Sequence, residues 1–183
     1  LQAVGVEKSR KFAEGLGMTF KDFYESASIG GYQEGTNALE LAGAYSAFAN
    51  QGVYNEPYSV SKIVLADKST TIDLTPESKV VMKDYTAFMI TDMLKSVMTS
   101  GTGRSANVSG LPLAGKTGTT NYDEDTRKEL GFPSSASPDS WMVGYTTQYT
   151  AAIWLGYEKQ RENYLSEESQ KIPRKLFKAL MTE

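Results

Sequence analysis

Two apolar runs near the C-terminal end constrain this chain more than any other feature of it. Trp141-Met142-Val143-Gly144-Tyr145 and Ala151-Ala152-Ile153-Trp154-Leu155-Gly156-Tyr157 are nearly unbroken stretches of aliphatic, aromatic and small residues. Runs this short and this rich in β-formers predict strands. The brief join between them makes the strands antiparallel neighbours, and the lack of polar alternation predicts burial on both faces. Trp141, Tyr145, Trp154 and Tyr157 therefore read as sheet core rather than as sugar-stacking platforms.

Upstream the spacing is mostly helical. Residues 6–16 place Val6, Phe12, Ala13 and Leu16 on one face, with Gly17 as the stop. Residues 17–36 read as loop, broken by Gly30-Gly31 and Gly35. Asn37-Ala38-Leu39-Glu40 has the form of a capping box, so Glu40 is a helix cap rather than a general base. The helix it opens carries Leu41, Tyr45 and Phe48 on its apolar side and ends at Gly52. Ser59 to Ala66 and Thr71 to Leu74 flank Asp67-Lys68-Ser69-Thr70, which predicts a β-hairpin.

A long helix follows from about Asp84 to Thr99. Met89, Met93 and Val97 repeat at i+4, as do Ile90, Leu94 and Met98, a double stripe wide enough for burial on more than one side. A last helix from about Pro173 to Met181 turns Leu176, Phe177, Leu180 and Met181 to a core. Helices first and strands later make an α+β chain.

Composition removes several kinds of chemistry. The 183 residues contain neither Cys nor His. Disulfides, thiol catalysis, cysteine metal sites, His-liganded zinc and a Ser-His-Asp triad are therefore impossible within the chain. Acid–base work falls to Lys, Glu, Asp or Tyr. With 19 basic and 22 acidic residues the net charge is −3, and no basic run is long, which argues against nucleic-acid binding. No stretch approaches the roughly 20 apolar residues of a membrane span. The start, Leu1-Gln2-Ala3-Val4-Gly5, is neither a Met nor a signal peptide, and reads as a cut within something longer.

Gly110-Leu111-Pro112-Leu113-Ala114-Gly115-Lys116-Thr117 fits the G-x-x-x-x-G-K-[ST] phosphate-loop pattern. Such a loop needs a strand before it and a helix after it. The residues on either side make a poor strand and a poor helix, so the match reads as coincidence. The three carboxylates Asp123, Glu124 and Asp125 read as a solvated run rather than a metal site. The polar stretch 121–140 is long enough to border a functional cleft or to be a plain connection.

Lys116-Thr117-Gly118-Thr119 also spells K-T-G, a signature of penicillin-recognising serine enzymes. Its context strengthens it. From Leu1 to about Tyr157 the chain resembles the second half of the transpeptidase domain of class A, bifunctional penicillin-binding proteins. The matching stretches are Leu1-Gln2-Ala3-Val4-Gly5-Val6, Gly15-Leu16-Gly17, Gly30-Gly31 and Leu39-Glu40-Leu41-Ala42. They continue with residues 44–52 (Ala44-Tyr45 to Gln51-Gly52), residues 115–120 around the K-T-G, Trp141 to Tyr145 and Trp154 to Tyr157, in matching order and spacing.

The resemblance implies the penicillin-binding/β-lactamase-like fold, a five-stranded antiparallel sheet flanked by helices plus a helical lobe. Residues 1–183 would be the C-terminal part of it. The implied reaction is acyl transfer from a D-Ala-D-Ala stem peptide to an amine through an acyl-serine, cross-linking peptidoglycan; β-lactams acylate the same serine. No metal or organic cofactor is implied. Lys116 would support the proton network and, with Thr117 and Thr119, bind the substrate carboxylate. Gly118 would keep the strand face low, and the Thr119 N–H would form half of an oxyanion hole.

The family's other two motifs, S-x-x-K and S-x-N, have decoys here. Ser59-Val60-Ser61-Lys62 reads as strand, where residues three apart face opposite ways. Ser105-Ala106-Asn107 lies just before Lys116, on the wrong side of the expected cleft. Both true motifs, and the nucleophile, are expected on a preceding N-terminal part of the same domain. That part, stem peptides and β-lactams are the expected partners. The resemblance also places the parent on the cell-wall side of the cytoplasmic membrane, anchored by a segment outside this chain, with a glycosyltransferase domain upstream. Three rivals stand beside this reading: a ligand-binding module without the serine, the phosphate-loop binder, and a D,D-carboxypeptidase or β-lactamase.

Overall fold

The computed structural model describes residues 1–31 and 35–183, so residues 32–34 of the loop expected over 17–36 lie outside the described residues. The chain divides into two units, Leu1–Phe88 and Met89–Glu183.

In the first unit, helix α1 runs over Val6–Gly15. Its end is a Schellman turn: the N–H of Met18 reaches the Ala13 carbonyl at 3.2 Å, with Gly17 at φ 81° in the left-handed region. A 3₁₀ turn over Glu25–Ile29 lies in the segment expected to be loop.

Helix α2 covers Ala38–Ala49, capped by Asn37, whose side chain accepts from the Glu40 N–H at 2.9 Å. The Glu40 carboxylate turns to the hydroxyls of Thr19 (3.0 Å) and Thr36 (3.4 Å), so it ties the helix start to the preceding loop.

The buried side of α2 differs from the expected one. Gly43, Ala44 and Ala47 are its buried residues, while Leu41, Tyr45 and Phe48 are only half-buried. The cause is close approach. A Cβ at Gly43 would lie 2.8 Å from Cγ of Pro57, so only small residues fit there. Ala44 and Ala47 join Leu16, Tyr54, Met82 and Ala87 in the core of this unit, with Phe48 packed beside them. Strand β1 (Val53–Tyr54) pairs antiparallel with β4 (Lys79–Val80).

Between them stands the hairpin of β2 (Lys62–Val64) and β3 (Thr71–Asp73), paired Lys62↔Asp73, Ile63↔Ile72 and Val64↔Thr71. It is shorter than the sequence predicts, and Ser59 lies in irregular chain before it rather than in a strand. The S-x-x-K decoy is thus not helical, and both Ser59 and Lys62 are exposed.

Helix α3 spans Asp84–Thr99, as the spacing predicts. Only one of its two stripes is covered. Met98 is fully buried, and Ile90 and Leu94 are half-buried, whereas Met89 and Met93 are exposed. Periodicity reports which residues share a face, not whether a neighbour covers it.

The second unit is built on one antiparallel sheet, β5 (Ala114–Thr119), β6 (Asp139–Tyr145) and β7 (Thr150–Gly156), in the order β5-β6-β7. Central β6 is the buried strand: Met142, Val143, Gly144 and Tyr145 are all inside. Strand β7 corrects the expectation of burial on both faces, since none of its residues is fully buried. Trp154 and Tyr157 are each 44% exposed, so of the four aromatic residues read as core only Tyr145 is buried.

Helix α5 (Ile172–Thr182) covers one face of the sheet. Its Phe177 is fully buried with Met142, Met98, Ala106 and Leu113, while Leu176 and Leu180 point outward against expectation. Gly144 lets this ring in, since a Cβ there would sit 2.8 Å from Cζ of Phe177.

Candidate functional site

Strand β5 carries the Lys-Thr-Gly triplet, and among the described residues it is an edge strand paired only with β6. Its apolar start, Ala114 and Gly115, is buried, while Lys116 and Thr119 are exposed. Gly115 is required by packing. A Cβ there would meet the Val143 carbonyl oxygen at 2.8 Å and the Met98 sulfur at 3.1 Å.

The hydrogen-bond alternation of an antiparallel pair fixes what each residue offers to the free edge. At the end of β5, the Thr120 carbonyl accepts from the buried Ser137 hydroxyl at 2.6 Å, on the side from which β6 starts. Backbone groups of alternate residues then face β6, and those of Thr117 and Thr119 face away. Lys116 agrees, because its Nζ donates to the Thr117 carbonyl at 2.8 Å. The N–H of Thr119 therefore sits on the open edge.

Side chains alternate across the sheet in the other direction. Lys116 and Gly118 share the face that carries Trp141 and Trp154, whose ring centroids are 6.3 Å apart. A Cβ at Gly118 would approach that of Trp141 to 3.2 Å, so the glycine keeps this face low. Thr117 lies on the other face with Met142, and its hydroxyl is 2.7 Å from that of Thr102. Thr102 lies in the Ser100-Gly101-Thr102-Gly103 turn just after α3, and nothing in the sequence marks it as a partner of Thr117.

The stretch 121–140 is not bare loop. Asp123 caps the short helix α4 (Glu124–Glu129) by accepting from the Thr126 N–H at 2.9 Å. Hydrogen bonding to Thr126, its side chain first and its backbone second, holds the Asp123 carboxyl below the usual range. Glu124 pairs with Lys128 at 2.7 Å. Tyr122, Phe132 and Tyr164 stack edge to face and tilted, and the Tyr122 hydroxyl lies 2.7 Å from the Gln160 carbonyl. Burial, with the Asp139 charge second, pushes that hydroxyl's pKa up. The Thr120 hydroxyl donates to Asp139 at 2.7 Å. The segment that follows the Lys-Thr-Gly strand is thus pinned to the sheet and to residues 160–165.

The phosphate-loop reading fails on geometry. Lys116 lies within a strand, and no helix starts at its C-terminal side until Glu124, so no helix N-terminus faces it. Ser105-Ala106-Asn107 sits in and just after a 3₁₀ turn over Arg104–Ala106, with Ala106 buried in the core rather than presented to a ligand.

Residues 3–182 match the family model of the penicillin binding protein transpeptidase domain. The chain is 48% identical over 188 residues to penicillin-binding protein 1A/1B of Bacillus subtilis strain 168, covering 100% of this chain and 20% of that protein. It thus spans about a fifth of that relative's length.

Among solved structures, the penicillin-binding protein PonA1 of Mycobacterium tuberculosis superposes with a TM-score of 0.67 at 25% identity, over 86% of this chain and 40% of that one. Penicillin binding protein 3 of the same organism, solved with ampicillin, gives 0.69 at 21% identity, over 99% of this chain and 46% of that one. An edge strand bearing Lys-Thr-Gly, an α+β fold around it and a family match along nearly the whole length lead to one conclusion: the chain belongs to the penicillin-binding protein transpeptidase domain family.

Proposed function

We propose that this chain is the C-terminal part of a serine D,D-transpeptidase domain and forms the substrate-recognition wall of its active site. The open edge of β5 carries the reading: Lys116, Thr117, Gly118 and Thr119 lie together there, with the backbone of Thr117 and Thr119 turned outward.

An extended D-Ala-D-Ala stem peptide adds to that edge as a further strand, its main chain paired with Thr117 and Thr119. The two threonine hydroxyls and the Lys116 charge receive the terminal carboxylate. Gly118 leaves room for the peptide to lie flat. The serine nucleophile, carried on a preceding part of the domain, attacks the carbonyl of the penultimate D-Ala. Negative charge then develops on that carbonyl oxygen, and the Thr119 N–H on the open edge donates to it. The C–N bond breaks, the leaving D-Ala amine takes a proton, and an acyl-serine ester remains. An amine of a neighbouring stem attacks the ester, releases the serine and forms the cross-link.

Lys116 sits on its own strand's carbonyl and is exposed, so its flexible stem lets the ammonium swing toward a bound anion or the serine's proton network. β-Lactams acylate the same serine, in keeping with the ampicillin complex of the Mycobacterium tuberculosis relative. The parent protein acts on the cell-wall side of the cytoplasmic membrane, with its anchor and a glycosyltransferase domain outside this chain. Among the described residues no helix is long and apolar enough to cross a membrane.

Labelling the full-length protein with a fluorescent penicillin tests the reading. Label is expected on a serine outside residues 1–183, with the acylation rate lowered about a hundredfold by Lys116→Ala. A full-length protein that takes no label, or label that Lys116→Ala leaves at the wild-type rate, would refute it.

A further inference from the structure

We infer that Thr102 is a positioning residue for the carboxylate end of the ligand, acting through the hydroxyl of Thr117. The inference rests on the reading of β5 as the substrate wall. The two hydroxyls are 2.7 Å apart, a full hydrogen bond between residues 15 apart in sequence, and either oxygen can donate. Each hydroxyl has one proton and two acceptor positions. If Thr117 donates to Thr102, its proton is spent within the protein and its lone pairs face the ligand, which repels an anion. If Thr102 donates to Thr117, the Thr117 proton is free to point at a carboxylate. An anion at the edge of β5 selects the second arrangement, and Thr102 then holds the Thr117 oxygen in place while polarising its O–H.

The backbone around Thr102 is built to hold it there. Two glycines flank it, and both turn residues bond back to the end of α3: the Gly101 N–H reaches the Ser96 and Val97 carbonyls at 3.1 Å each, and the Gly103 N–H reaches Val97 at 3.1 Å. Gly103 is buried, and a Cβ there would lie 2.7 Å from the Met98 sulfur, so the turn packs tightly on the fully buried Met98. From the other side, Arg174 on α5 donates to the Thr102 carbonyl at 3.4 Å. Thr102 is thus tied to α3 and α5 while its side chain alone reaches β5. A hydroxyl on so fixed a backbone sets the Thr117 rotamer before any ligand arrives, which is preorganisation.

The test is a double-mutant cycle in the full-length protein, read as the second-order rate of acylation by benzylpenicillin and by its methyl ester. Thr102→Val keeps the shape and removes the hydroxyl; it should slow the free acid about tenfold and leave the ester at its wild-type rate. Thr102→Ser should restore the free-acid rate. In a Thr117→Val background, Thr102→Val should cost nothing more, because Thr102 acts only through Thr117. Equal slowing of acid and ester, or additive losses in the double variant, would mean that Thr102 merely supports the strand, and would overturn the inference. An unchanged free-acid rate in a folded Thr102→Val protein would overturn it as well. A wild-type protein that takes neither probe fails at the earlier step: it refutes the transpeptidase reading itself, and the role of Thr102 with it.

Discussion

The chain contains two antiparallel pairings that are held in opposite ways. The β2–β3 hairpin has three paired positions and no buried residue, while β5–β6 has six, with Ala114, Gly115, Met142, Val143, Gly144 and Tyr145 inside. The hairpin is local. Asp67 in its tip accepts from the Ser69 and Thr70 N–H groups and from the Thr70 hydroxyl, so one carboxylate organises the whole turn. One of its faces is aliphatic, with Ile63, Leu65, Ile72 and Leu74, and the other carries the Lys62↔Asp73 pair. The sheet draws its stability from residues far away in sequence, Met98 and Phe177 above all. A hairpin held by its turn can exist without a core but is marginal. A sheet held by packing can leave an edge strand polar, as Lys116 and Thr119 are, because the strand behind it carries the burial.

The largest effect that separates the two regions is expected from Phe177→Ala. The ring is fully buried against Gly144 and Met142, and its loss leaves a cavity that α5 cannot close by a rotamer change. A destabilisation of about 3–5 kcal/mol is expected in urea unfolding, a large share of a typical domain's total stability. Amide exchange should accelerate across β5, β6 and β7 while exchange at the hairpin tip stays unchanged. Equal acceleration in both regions would dissolve the distinction between them. A smaller loss, about 1 kcal/mol, is expected for Tyr145→Phe, which leaves the Thr91 hydroxyl without its 2.8 Å partner inside the second unit.

These contrasts also show what a sequence can reveal. The strands around Trp141 and Ile153 were legible because an unbroken apolar run has few other uses, and Lys116-Thr117-Gly118-Thr119 was legible as a motif whose residue types follow from its chemistry. The core side of α2 was misread because periodicity favours large residues, whereas close approach to Pro57 requires Gly43, and Ala44 and Ala47 on that side pack into the core with Leu16, Tyr54 and Met82. Trp154, Met89 and Leu180 were misread for a different reason: their spacing gives them a shared face with other apolar residues, but exposure depends on whether another element lies over that face. Thr102 was out of reach altogether. Its contact with Thr117 exists only once α3, α5 and β5 have packed, and no local pattern records it.

The smallest effect sharpens the comparison from the hairpin's side. Hydrogen bonds from Thr70, chiefly its hydroxyl and then its N–H, lower the Asp67 pKa from 3.8 to about 2. A carboxylate whose folded pKa is depressed contributes stability that is fully present above its unfolded pKa and is lost as pH falls through its folded one. The hairpin tip should therefore be protected above about pH 4 and should loosen between about pH 4 and pH 2. Asp67 is exposed, so the change is local and modest, and it is best read in the amide signals of Ser69 and Thr70. Asp67→Asn keeps an acceptor oxygen but removes the titration, so its tip should be weaker at neutral pH and flat across the acid range. If the Ser69 and Thr70 signals titrate alike in wild type and Asp67→Asn, the turn is held by something other than this carboxylate. The hairpin would then depend, as the sheet does, on contacts from beyond its own residues.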